Sequence, residues 1–429
     1  MSNGAIILFA AMALFFIVRM PISYSMLSAC ILYYIVEAPN ALGNVFTVIT
    51  GNTYAGFTML AAPLFVFMAN VMGEGEIADR IYGFAHGLLG KMRGGSAQVN
   101  CLVSLIFSGM TGSAIADASG TGTMEIRQMI DEGYDAEFSC ALSAATATVG
   151  PIFPPSIPMI IYAMLSGASV GKLFAGGMVP GVVLTVLFMI YSYIISQKRQ
   201  YPMGQAQTFK QFVKNTVIAF PALFTVVLLL GGIYSGVCTP TEAGALASAY
   251  AIVIGFLVYR SLSWKVLWQV LKQTARDTAT LALLTGTAYL FSFIVSREKI
   301  PAIVSEFVLN FTHNKYMFLF IVNVVFLALG CVLDVSCIQL VFVPMVLPMV
   351  REFGIDLVHF GVMICFNMMI GLSTPPFGML LFIVTKAGNT KIGGVIREIM
   401  PMVLIMIAFL FLMTYIPEII MFIPNMMTT

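Results

Sequence analysis

Residues 148–158 read TVGPIFPPSIP, with one Gly and four Pro. The stretch lies between the apolar runs ALSAATA (141–147) and MIIYAML (159–165). Pro removes a backbone donor and its ring collides with the preceding turn, so a helix breaks here. In lipid each unsatisfied backbone group costs several kcal/mol, so such a break has to be compensated by what surrounds it.

The setting is a membrane. Of 429 residues, 59% are hydrophobic and 9% charged, whereas soluble domains are about one-quarter charged. This composition defines an all-α polytopic membrane protein in the bilayer. The net charge of +2 and the lack of a basic stripe or stacking module give no reason to expect nucleic acid. The seven Cys are scattered without a CxxC pair, so neither a zinc site nor a disulfide framework is indicated. His86, His313 and His359 sit near predicted segment ends and read as interface residues. There is no GxSxG, no HExxH and no P-loop, which leaves no enzyme constellation and no ATPase. The first 20 residues lack a positive n-region and read as a retained span rather than a signal peptide.

Apolar runs of spanning length fall at about 4–18, 22–38, 56–72, 178–196, 217–236, 241–259, 278–296 and 400–420. The polar segments 197–216 and 260–277 each carry four Lys or Arg and read as cytoplasmic loops under the positive-inside rule. Propagating outward places 16 of the 21 basic residues inside, Arg19 among them, and 5 outside (Lys172, Arg297, Lys299, Lys315, Arg351). Both termini then lie on the periplasmic face.

Four segments do not read as simple spans. Residues 97–132 and 316–350 each hold two apolar halves too short for a core of about 30 Å, and read as re-entrant hairpins. Residues 138–166 form a helix broken at the opening motif, and 357–386 one broken at GLSTPPFG (371–378). A shift of 221 residues superposes Gly109 on Gly330, Gly133 on Gly354, Asp135 on Asp356 and Gly150 on Gly371. It also superposes Pro154 on Pro375, Pro155 on Pro376, Gly167 on Gly388 and Pro180 on Pro401. This is an internal repeat, and the charge bias makes it an inverted one. Residues 73–177 form one transport-domain repeat and 297–399 the other, with 1–72 and 178–296 as scaffold and 400–429 as a final span.

Inverted repeats with paired broken helices mark secondary transporters, where freed carbonyls coordinate cations and half-helix N-termini face anions. Sodium, a hard cation, takes oxygen ligands. One cation site combines the first hairpin tip, Ser108, Gly109, Gly112 and Ser113, with Gly150 and Pro154. Its mate combines Gly330, Leu333 and Asp334 with Gly371 and Thr374. The substrate is placed between the tips, at Thr111, Ser113, Asp117, Pro155, Ser156, Ser336 and Pro376. Asp117 and Asp334 are intramembrane acids and so functional candidates, although each also suits a role bracing its hairpin. Glu242, after Thr239, reads as part of a helix N-cap.

The stretches FSGMTGSAIADASGTG (107–122), GYDAEFSCALSAATATVGPIFPPSIP (133–158), GIYSGVCTPTEAGALASAYA (232–251), LGCVLDVSCIQLVFVPMVLPMV (329–350) and GLSTPPFGMLLFIV (371–384) resemble the large membrane subunit of TRAP (tripartite ATP-independent periplasmic) transporters. The likeness covers nearly the whole chain. It implies an elevator-type ion-transporter-like fold in the bacterial inner membrane. It implies sodium as coupling ion, no other cofactor, and uptake of an organic acid such as sialic acid or a C4-dicarboxylate. The implied partners are a small four-helix membrane subunit and a soluble periplasmic substrate-binding protein. Sialic acid is favoured because the candidate site is rich in hydroxyls and poor in Arg. The alternatives are a stand-alone sodium/anion symporter, a channel subunit, or an intramembrane protease using Asp117 and Asp334 as a dyad.

Overall fold

The computed structural model describes residues 3–18, 20–55, 60–73, 77–204 and 207–427. Arg19, and residues 56–59 of the third expected span, lie outside the described residues. Among the described residues the ordered elements are helices, with one isolated bridge between Arg93 and Met203. Among the described residues six helices are long and apolar enough to cross a bilayer, including Val170–Lys198, Phe209–Tyr234 and Pro240–Val258. The turn before Pro240 is closed as expected. Glu242 accepts from the Thr239 N–H at 2.8 Å, and the Thr239 hydroxyl accepts from the Glu242 N–H at 3.3 Å. This reciprocal pair satisfies donors that a helix start leaves open.

The first hairpin has one arm at Gly95–Thr111 and a return arm in two pieces, Ala114–Ser119 and Thr121–Asp131. The second runs Lys315–Gly330 and Val335–Glu352. The arms of 16 to 18 residues are longer than the apolar halves in the sequence; Val335–Glu352 is one of the six possible spans, whereas the arms of 16 and 17 residues stay short of about 30 Å at 1.5 Å per residue. The broken helices are Ala136–Ala147 with Ile157–Ser166, and Leu357–Leu372 with Met379–Ala387. The 221-residue shift carries the starts at Gly95, Ala136, Ile157 and Val170 to within one residue of those at Lys315, Leu357, Met379 and Ile392. The repeat is therefore structural as well as sequential.

Each hairpin is tied to its own broken helix by buried amides. Asn100 donates to the Ser143 hydroxyl at 2.7 Å and accepts from the Thr146 hydroxyl at 2.9 Å. In the second repeat Asn367 donates to the Asn323 side-chain oxygen at 2.9 Å, and Asn323 donates to Thr414 at 2.9 Å. Thr146 and Asn367 are repeat mates, so different side chains make the same tie. The two repeats also interlock. The half Ala136–Ala147 packs on Met379–Ala387, and Ile157–Ser166 packs on Val335–Glu352 and Leu357–Leu372. Gln339 donates to the Pro158 carbonyl at 3.0 Å across that seam.

Two sequence expectations change. The basic segment 260–277 is not a loop, because from Trp264 it belongs to one 34-residue helix ending at Arg297. Its buried Leu267, Val270 and Thr274 recur at helical spacing, and the charges between them masked that face. Residues 209–216 of the other basic segment are likewise helical, capped by Thr208 and Gln211.

Asp135 and Asp356 both precede a broken helix, but only Asp356 caps with its side chain, accepting from the N–H groups of Val358 at 2.7 Å and His359 at 3.1 Å. Asp135 instead holds Arg199 at 3.0 Å and Tyr201 at 2.6 Å. Asp356→Ala is expected to cost about 1 kcal/mol of unfolding stability. Asp356→Asn should cost less, because Asn also caps. Thermal unfolding in detergent distinguishes the two, and equal losses would contradict the capping role.

Candidate functional site: hairpin tips, helix breaks and the cleft between them

The break motif removes donors and keeps acceptors. Pro151, Pro154, Pro155 and Pro158 each supply a carbonyl and no N–H. The N–H groups that remain near the break are used locally. Gly150 donates to Ala147 at 3.2 Å, and Ile152 and Phe153 both donate to Val149 at 3.0 and 2.9 Å. The Ser156 hydroxyl donates to the Pro151 carbonyl and accepts from the Met159 N–H, capping the half-helix that starts at Ile157. In the second break Ser373 and Thr374 donate back to Ile370 and Gly371, and the Phe377 N–H reaches the Cys331 carbonyl of the hairpin tip at 3.3 Å. The Pro154–Pro155 and Pro375–Pro376 bonds are both cis.

Each tip touches the break of its own repeat. A Cβ at Gly112 would lie 2.4 Å from the Pro155 carbonyl oxygen, and one at Gly371 would lie 2.4 Å from the Gly330 carbonyl carbon. Gly150 faces Ser113 and Ala114 at ordinary contact distance. The structure thus brings Gly112, Ser113, Gly150 and Pro155 together in one place, and Gly330, Cys331, Gly371 and Phe377 in another. Ser108 is buried with its hydroxyl on the Ser104 carbonyl. Gly109 does not face the break, because a Cβ there would meet Val226 at 2.8 Å. Leu333 is half-buried in the second tip. The Thr374 hydroxyl is turned back onto the Ile370 carbonyl at 2.6 Å.

A cleft of about 530 Å³ lies between the tips and is lined by the substrate candidates Thr111, Ser113 and Ser336, together with Asp334 of the second candidate cation site. Asp334 caps the helix that starts at Val335, its Oδ1 accepting from the Ser336 N–H at 2.9 Å. Ile157, the first residue of a half-helix, and Val335, the first residue of the second hairpin's return arm, also line the cleft, so two helix N-termini and their partial positive charge face it.

Four substrate candidates are not at this cleft. Asp117 is buried behind the first tip, its Oδ1 accepting from the Thr121 hydroxyl at 2.6 Å. Ser156 spends its hydroxyl on the cap and is fully buried. Pro155 is covered by Gly112, and Pro376 is exposed away from the cleft. Asp117 therefore does not share the cleft with Asp334, which removes the geometric basis for a carboxylate dyad.

Sequence reading missed the opposite wall. Asn70 from the helix Ala61–Gly73, and Gln273, Asp277 and Thr280 from Trp264–Arg297, line the cleft. Asn70 donates to Thr274 at 3.1 Å and to Asp277 Oδ2 at 3.3 Å, and Gln273 donates to Asp277 Oδ1 at 2.9 Å. A lone amide in the apolar run AAPLFVFMANVMG (61–73) was the available signal.

The fold is an all-α membrane architecture of inverted repeats, each with a re-entrant hairpin and a broken helix, of the elevator-type ion-transporter-like class. The solved Alcanivorax borkumensis YdaH transporter is similar in fold, at TM-score 0.64 and 13% identity over 89% of each chain. The chain belongs to the family described as "Tripartite ATP-independent periplasmic transporter, DctM component", whose model matches residues 9–419. It is 36% identical to the Vibrio cholerae sialic acid TRAP transporter large permease protein SiaM, over 95% of both chains. It is 37% identical to the Haemophilus influenzae sialic acid TRAP transporter permease protein SiaT, over 96% of this chain and 66% of that longer protein. A C4-dicarboxylate TRAP transporter large permease protein DctM from Pseudomonas aeruginosa is 34% identical over 86% of both. The chain is therefore a transporter subunit, not an enzyme.

Gly112 has φ +60° and Gly133 has φ +95°, but only Gly112 has a neighbour that a Cβ would strike. Gly112→Ala is expected to combine strain of about 1–3 kcal/mol with separation of tip from break, and to abolish transport. Gly133→Ala should show the strain alone, with transport kept. Matched melting curves and uptake assays test this, and equal transport in both variants would contradict it.

Proposed function

We propose that the chain is the large membrane subunit of a sodium-driven uptake system for an organic acid anion in the bacterial inner membrane, with both termini periplasmic. A soluble periplasmic binding protein delivers the acid, and a small four-helix membrane subunit completes the permease. Sodium is the coupling ion. The observation that carries this reading is the contact of each hairpin tip with the broken helix of its own repeat. Those contacts gather carbonyls and hydroxyls while Pro deletes competing donors, a chemistry that suits a hard monovalent cation.

In this reading Ser113, Gly112, Gly150 and Pro154 contribute to one sodium site, and Gly330, Leu333, Asp334 and Gly371 to the other. The acid binds between the tips, with Thr111, Ser113 and Ser336 offering hydroxyls and the helix N-termini at Ile157 and Val335 favouring its negative charge. Sodium bound at each tip adds positive charge beside the cleft, which couples ion to acid. The hairpins and broken helices, interlocked as one body, move as an elevator against a scaffold drawn from residues 1–72 and 178–296. Sialic acid is preferred to a C4-dicarboxylate because two of the most similar relatives are sialic acid permeases and the cleft lining is hydroxyl-rich.

Radiolabelled uptake into proteoliposomes holding the chain and its small partner tests this, with sialic acid and succinate in parallel. Accumulation is expected only when an inward sodium gradient and the binding protein are both present. Uptake without the binding protein would identify a stand-alone symporter, and uptake indifferent to sodium would overturn the coupling.

A further inference from the structure

The cleft has two chemically different walls. The hairpin side presents the hydroxyls of Thr111, Ser113 and Ser336. The opposite side presents Asn70, Gln273 and Asp277, held together by the two hydrogen bonds to the Asp277 carboxylate. Among the described lining residues the charged ones are Asp277 and Asp334, and none is basic. Asp334 caps the helix at Val335 through Oδ1 and belongs, in the reading above, to the second sodium site. Asp277 caps nothing. It sits mid-helix in Trp264–Arg297, half-buried, fixed from two sides by amide donors. A carboxylate oxygen has two acceptor positions, so each Asp277 oxygen keeps one for a further donor.

We propose that Asp277, positioned by Asn70 and Gln273, is the specificity-determining residue of the cleft: it accepts hydrogen bonds from the hydroxyl or ammonium groups of a monocarboxylate substrate and rejects a second carboxylate. The inference rests on the transport function proposed above and narrows its substrate class. An acid bound with its carboxylate at the hairpin tips directs its far end at this wall. A polyhydroxylated or zwitterionic far end supplies donors to an acceptor-only carboxylate. A dicarboxylate of similar span instead brings like charge against Asp277 in a site partly shielded from water, where repulsion is little screened. Asn70 and Gln273 have their N–H groups turned toward Asp277, which leaves their own carbonyl oxygens as additional acceptors. The wall as a whole therefore favours donors.

The test uses the full chain carrying Leu281→Cys, a cleft-lining position, judged against the chain without that change. Protection of the new thiol from a maleimide is measured in sodium against N-acetylneuraminate, gluconate and succinate. The two hydroxy acids are expected to protect at concentrations at least about tenfold below succinate, a difference of about 1.4 kcal/mol. Asp277→Asn keeps the side-chain shape and removes the charge. It should improve succinate about tenfold and weaken the hydroxy acids, collapsing the preference. Asn70→Ala leaves the charge but loosens it, so hydroxy acid protection should fall while succinate stays excluded. Equal protection by succinate and the hydroxy acids in the Leu281→Cys chain with Asp277 intact would overturn the proposal, as would an unchanged preference in Asp277→Asn. Protection equally strong when potassium replaces sodium would overturn the sodium coupling and leave the role of Asp277 standing. Failure of every acid to protect in sodium would overturn both.

Discussion

Backbone polar groups cannot be left unpaired in the hydrocarbon core of a membrane, and this chain interrupts two helices there. The interruption at 148–156 is made tolerable in three ways. Pro at 151, 154 and 155 removes three donors altogether. Short-range turns from Gly150, Ile152 and Phe153 absorb most of the donors that remain. A hairpin tip seals the outside, so closely that Gly112 has no room for a side chain beside the Pro155 carbonyl. The second interruption uses the same devices in different proportion, with Gly330 against Gly371 and a direct tip-to-break hydrogen bond from Phe377 to Cys331. Such an arrangement is richer in acceptors than in donors, and that imbalance is what a cation can exploit.

The rest of the core follows from keeping those contacts in register. Buried amides fix each hairpin to its helix, Asn100 through Ser143 and Thr146, Asn323 through Asn367. The halves of one broken helix pack on elements of the other repeat, which joins the two tips through one packed body. The cleft is then bounded on one side by this interlocked body and on the other by Ala61–Gly73 and Trp264–Arg297. Any relative motion of the two changes which residues a bound acid touches. Asp277 lies on the second side, facing the hairpin tips across the cleft.

Much of this was legible in the sequence because Gly and Pro report backbone geometry directly. The repeat register, the hairpins, the breaks and the pairing of Thr239 with Glu242 all rest on residues whose structural role is local. Side-chain direction was less accessible. Ser156 and Thr374 look like ligands by type, yet both hydroxyls are consumed by the backbone beside them. Asp117 points back to Thr121 rather than outward. Asn70 and Asp277 went unnoticed because they lie on helices of unrelated position in the chain, and only tertiary packing brings them to one wall. The basic run 260–277 was read as a loop because charge density outweighed the apolar spacing of Leu267, Val270 and Thr274.

The central claim is that each tip and its break form a single cation-responsive unit. Hydrogen–deuterium exchange of the full chain in detergent, in sodium and in potassium at equal ionic strength, tests it most directly. Sodium should slow exchange in 109–114 together with 150–157, and in 330–336 together with 371–378, while the spans Phe209–Tyr234 and Pro240–Val258 stay unchanged. Protection confined to one member of a pair, or no difference between the two cations, would contradict the account.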